Sequence, residues 1–146
     1  MDAATISALA ALGGATVGGV TSFGTTWLSQ QSQARIQEFT HKLALREKLF
    51  NEFIEEASKQ YADALINQIS DVSKLVALYS MINKMRVISS KATVESADQV
   101  ARLIVKTYSA PNKGIPELEQ MVNTGAMDIL QAFSEAARHE LHSLRS

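Results

Sequence analysis

Cysteine is absent from all 146 residues. That excludes disulfides, thiolate metal centres and a cysteine nucleophile, and leaves the chain compatible with any redox compartment. Proline occurs twice and glycine seven times, and five of the glycines (Gly13, Gly14, Gly18, Gly19 and Gly24) precede residue 25. Neither residue occurs between 25 and 110. A chain so poor in breakers favours long helices over a sheet. Positive charge is also missing from the start: all 14 Lys and Arg lie at or beyond Arg35, and Asp2 is the one acidic residue before it. The net charge of −1 argues against nucleic acid as a partner, which would want a basic face. No Gly-x-x-x-x-Gly-Lys-Ser/Thr phosphate loop and no glycine-framed serine nucleophile occurs.

What the first segment does contain is an uncharged run from Ala3 to Ala34. Within it, Ile6–Leu28 is 23 residues long. As a helix that length rises about 34 Å, enough to cross a hydrocarbon core of about 30 Å. The expectation is an N-terminal transmembrane anchor over residues 1–28, seated in the lipid bilayer. Its large apolar side chains are few (Ile6, Leu9, Leu12, Val17, Val20, Phe23, Trp27 and Leu28), and Gly, Ser and Thr weaken insertion. A buried soluble helix, a surface-lying segment and a disordered tail are therefore competing readings. A cleaved signal peptide would want a basic start, which is lacking. Trp27 at the end of the run suits the headgroup layer, and Arg35, Lys42, Arg46 and Lys48 follow with no basic residue upstream. The positive-inside rule then places the N-terminus outside and the C-terminal domain in the cytoplasm, on an inner (cytoplasmic) membrane. Ala10, Gly14, Gly18 and Ser22 recur every four residues. Small residues at that spacing let helix backbones approach in lipid, making Gly14, Gly18 and Ser22 candidates for a self-associating helix–helix interface.

Residues 29–146 read as an all-α domain, an antiparallel bundle of about four helices. Ile36, Phe39, Leu43, Phe50, Phe53, Ala57, Tyr61, Ala64 and Leu65 recur at spacings of three and four, with one gap at Arg46 and Glu47. This predicts one stripe on a long helix that can run on from the anchor without a break to about Gln68. Ser70 or Asp71 is the next cap candidate. Beyond it, Val72, Leu75, Val76, Tyr79, Ile82 and Met85 form the densest apolar stripe of the chain. Leu78, Met81, Val87 and Ile88 widen it, which predicts the central, best-buried helix. Ser89–Thr93 reads as a turn, and a third helix carries Val94, Ala97, Val100, Ala101, Ile104, Val105 and Tyr108. Ser109–Gly114 is the clearest loop signal. A last segment starts near Pro116, breaks near Asn123–Gly125 and resumes with Ile129, Leu130, Phe133, Ala137 and Leu141.

Candidate chemistry is sparse. Glu38 and His41 have the Glu-x-x-His spacing of di-metal bundles, but such a site needs a second copy and further carboxylates. His139 and His142, with Glu135 a turn earlier, have the geometry to hold a divalent ion on one helix face, though they read as an exposed helix end. The run Phe39-Thr40-His41-Lys42-Leu43 is faintly similar to the phosphoacceptor segment of sensor kinases, with Lys42 where an acidic neighbour belongs. No cofactor, metal ligand or catalytic residue is assigned, and an enzyme is not expected.

Two longer motifs carry a resemblance. Arg46-Glu47-Lys48-Leu49-Phe50 with Phe53-Ile54-Glu55-Glu56-Ala57 form one. Ser73 to Ser80 with Ile82 to Ser90 form the other. In this order, after a Gly/Thr-rich anchor, they resemble a family of small bacterial single-span membrane proteins with a cytoplasmic helical domain and no established activity. The resemblance implies topology and fold, not chemistry. Two functional expectations follow. The first is a membrane-tethered helical module that self-associates and docks a protein partner. The alternative is a membrane-associated regulatory or enzymatic subunit using a carboxylate/histidine site.

Overall fold

The computed structural model describes residues 3–68 and 72–146, with side chains described from Trp27 onward. Five helices and no strand occur among the described residues: α1 Ala3–Ile66, α2 Val72–Ile88, α3 Lys91–Tyr108, α4 Ile115–Asn123 and α5 Gln131–Arg145. The chain divides into two compact units, residues 1–42 and 43–146. Among the described residues no helix is long and apolar enough to cross a membrane, so the structure lends the expected anchor no support. The cap candidates Ser70 and Asp71 lie outside the described residues.

In the unit 43–146, α1 buries Leu49, Phe50, Phe53, Ala57, Tyr61, Ala64 and Leu65 on one face. Their spacing follows the helical repeat, as expected. Phe133 of α5 fills the space opposite: its ring meets Phe53 at 4.7 Å and stands edge-on to Phe50 at 5.9 Å. Helix α3 packs on both α2 and α5. The buried Gln60 amide donates to the Lys74 carbonyl near the start of α2, and Arg46 donates to the Ile88 carbonyl at its end. Residue numbers rise along α1 as they fall along α2, so these two helices run antiparallel.

The expectation for α2 is corrected. Its buried side chains are Leu78, Ile82 and Met85, while Leu75 and Tyr79 are half-buried. Val72, Val76 and Val87 are 68%, 62% and 83% exposed. The best-buried helix is α3, which sinks Thr93, Ser96, Ala97, Val100, Ala101, Ile104 and Tyr108. The reason is compositional. Helix α2 is apolar on nearly every side, so periodicity singles out no face. In α3 charged residues occupy the outward positions and define the inward one.

The links are tighter than expected at one place and longer at another. Helix α3 begins at Lys91, so the expected turn Ser89–Thr93 shrinks to Ser89 and Ser90, with Ser90 Oγ accepting from Thr93 N as the helix cap. At α4 the Glu117 carboxylate accepts from Gly114 N at 2.5 Å, closing the first turn from outside. Gly125 has φ +72°, a left-handed conformation that glycine adopts without strain, and it ends α4 where a break is expected. Ile129 and Leu130, expected within the last helix, precede α5.

Candidate functional site

The sequence candidates for chemistry fall on exposed helix surface. Glu38 sits 2.7 Å from Lys42 on α1. The hydrogen bond and charge of that lysine hold its carboxyl below the ordinary value. His41 beside it is exposed, as are Glu135, His139 and His142 on α5. Glu135 accepts from Gln131 Nε2 within its own helix. Among the described residues no three His, Asp or Glu side chains converge as a metal would need. The interface candidates Gly14, Gly18 and Ser22 lie outside the described side chains.

The structure builds a polar cluster that the sequence reading missed. Glu140 of α5 is 6% exposed, and its carboxylate accepts from Thr93 Oγ1 at 2.6 Å and Ser90 N at 3.0 Å. Arg46 of α1, 24% exposed, stands 3.5 Å away and also donates to the Ile88 carbonyl. Four helices meet here. A carboxylate at the start of α3 satisfies an orphan amide and complements the positive helix end, while Arg46 covers the last turn of α2. This accounts for the gap in the α1 stripe: Arg46 points inward to a buried partner rather than outward. The signal available in the sequence was Arg46 itself, a charge interrupting an apolar face.

The surface around the cluster offers grooves of modest size. One, about 670 Å³, is lined by Arg86, Lys91, Glu95, Asp98 and Arg102 among others. Its charges are paired, with one carboxylate shared by two arginines: Asp98 faces Arg102 at 2.8 Å and Arg86 at 3.8 Å, and Lys91 faces Glu95 at 3.6 Å. A second groove, about 410 Å³, is more apolar and lies between α1 and α2, with Leu45, Leu49, Val87 and Ile88 on its walls.

Two rows of exposed, uncharged side chains also run along the helices, the first ending at Val87 on the wall of the second groove. On α2, Val72, Val76, Ser80, Asn83 and Val87 are all exposed, uncharged and spaced by four, four, three and four. On α1, Ile36 and Phe39 are 65% and 46% exposed, and Leu28 upstream is exposed as well. Ordinary solvent-facing helix surface carries charge, and contiguous apolar surface marks interaction sites. No family model matches the chain, and neither a curated protein nor a solved structure matches it.

Proposed function

We propose that the chain is a membrane-tethered helical interaction module: an anchor over residues 1–28, an all-α bundle facing the cytoplasm, and a docking face for a protein partner. One observation carries the docking role. The outward row of α2, from Val72 to Val87, holds three well-exposed valines and no charge. Leaving that face in water forgoes the stabilisation that burial supplies, about 25 cal/mol for each Å² of apolar surface. The tether rests on the uncharged composition of Ile6–Leu28 and the basic residues after it. Self-association and a lipid contact belong to the same reading.

The test is crosslinking in native membranes followed by identification of the captured proteins, with Val76→Glu as the discriminating variant. The side chain at position 76 is exposed, so the fold should tolerate Glu while a docked partner should not. Capture should fall at least several-fold. Equal capture by parent and variant would remove α2 as the docking face. Topology is checked separately with reporters fused after Ser146: a cytoplasm-dependent reporter should be active, and a stronger signal from a periplasm-dependent one would reverse the orientation.

A further inference from the structure

We propose that the outer face of α2 and the groove beside it take an acidic amphipathic helix of a partner protein, its apolar ridge over Val76 and Val87 and its carboxylates against Lys84 and Lys48. The inference rests on the α2 docking reading above and adds the chemistry of the partner. Along α2, Val72, Val76, Ser80, Asn83 and Val87 follow one another at helical spacing. From Val72 to Val87 the row rises about 22 Å, room for roughly four turns of a docked helix. At its end the row opens into the groove between α1 and α2, about 410 Å³, where Leu45, Leu49 and Ile88 join Val87 on the walls. Leu45 is 48% exposed and Val87 83%, so the bundle leaves both open. A channel between two antiparallel helices is a seat that a third helix fills with a ridge of its own side chains.

Charge selects the occupant. Helix α2 carries Lys74, Lys84 and Arg86 and no acidic residue. Arg86 faces Asp98 at 3.8 Å, on the α3 side. Lys84 lies in the wall of the groove, and among the described residues no carboxylate stands within ion-pair reach of it. Lys48 joins it from α1. Its pair with Glu52, 3.7 Å apart, is exposed at both ends and exchanges partners at little cost. With Glu52 counted, the groove keeps a net positive charge. An apolar floor edged by two available ammonium groups fits a helix with large aliphatic side chains on one face and carboxylates on the flank of that face. Helix α2 of a second copy would bring only like charge. A bilayer surface fits less well, because interfacial helices present aromatic and leucine side chains, whereas this row is valine interrupted by Ser80 and Asn83. A helical partner can meet those two with polar side chains of its own.

The test uses the full chain in phosphatidylcholine nanodiscs and two labelled synthetic helices of about four turns. Both carry leucine at spacings of three and four; one has glutamate beside that row, the other lysine. Fluorescence anisotropy should show the acidic helix binding several-fold more tightly than its basic twin, with a preference that shrinks as salt rises. Lys84→Glu should remove most of the preference, and Val76→Glu should weaken both helices. Lys106→Glu, the same charge change on α3 away from the groove, should have little effect. All three positions are exposed, so the fold tolerates the changes. Equal binding of the two helices, or equal effects of Lys84→Glu and Lys106→Glu, overturns the proposal. If neither helix binds and phosphatidylglycerol in the nanodisc shields a Val87→Cys variant from a maleimide, the face is a lipid contact and the proposal falls. If neither binds and Val76→Glu breaks up oligomers of the chain, the occupant is a second copy and it falls too. A chain that stays in solution without lipid loses the tether, and the same measurement then runs in buffer. Loss of captured protein with Val76→Glu, beside no acidic preference, leaves the docking face standing and removes only the acidic helix. An acidic preference abolished by Lys84→Glu, beside capture that Val76→Glu leaves intact, keeps the groove's selectivity and removes the docking role assigned above.

Discussion

Replacing Glu140 with alanine should destabilise the unit 43–146 strongly. The carboxylate accepts from Thr93 Oγ1 and Ser90 N and faces Arg46. Hydrogen bonds to a charged group contribute about 1.5–3 kcal/mol each. Breaking a buried ion pair by removing one member costs about 3–5 kcal/mol, because the other charge is left without a partner. These figures overlap, and removing Glu140 also removes the cost of burying its own charge. A net loss of about 3 kcal/mol follows. For a unit of this size each kcal/mol lowers the melting temperature by about 4–8 °C, so Glu140→Ala should melt about 12–24 °C below the parent. Far-ultraviolet circular dichroism of the full chain in detergent reads this. Thr93→Val, which keeps the shape and removes one donor, should lose about 1–2 kcal/mol. The pair Arg46→Met and Glu140→Leu together should recover much of the loss, since an apolar replacement leaves no charge stranded. A Glu140→Ala loss below about 1 kcal/mol, or a double variant no better than the single, would refute the reasoning that this cluster ties the helices together.

Two further outcomes test other parts of the fold. Leu78→Ala should cost about 2–5 kcal/mol by leaving a cavity, while Val76→Ala, two residues away on the outer face, should stay within about 0.5 kcal/mol; urea denaturation separates them, and equal costs would refute the assigned faces of α2. Asp63 accepts from Tyr108 Oη at 2.7 Å, and this bond first, then the one from Asn67, holds its carboxyl below the usual 3.8. A lowered folded value means stability that is present above pH 3.8 and lost as pH falls through the folded value, so parent and Tyr108→Phe should differ at neutral pH and converge in acid. Melting temperatures of both proteins across that range check this, and a difference that stays constant would show that Tyr108 acts through packing alone.

Helix existence was legible because the chain lacks breakers and its stripes repeat at three and four. The strong links were legible too: Ser109–Gly114 and Gly125 carry residues whose backbone preferences end helices locally. What was not legible depended on partners distant in sequence. Glu140 has neighbours at positions 46, 90 and 93, and nothing in Arg-His-Glu-Leu-His distinguishes it from an exposed glutamate. The faces of α2 were not legible because Val72, Val76 and Val87 are as apolar as Leu78 and Ile82, and only tertiary packing chooses between them. Ile36 and Phe39 continue the periodicity of Phe50 and Phe53, so the pattern alone does not separate the exposed pair from the buried one. No catalytic site was legible, and the described residues assemble none of the candidates into one.

The exposed position of Trp27 has an optical consequence. It is the chain's single tryptophan, whereas the tyrosines Tyr61 and Tyr108 are buried in the bundle and Tyr79 is half-buried. Selective excitation of tryptophan therefore reports on one end of the uncharged segment, and tyrosine absorbance reports on the helical core. Unfolding curves from the two chromophores need not coincide, and a mismatch between them is no evidence of a folding intermediate. A tryptophan signal that persists after the tyrosine signal has melted would show that the surroundings of Trp27 outlast the helical core.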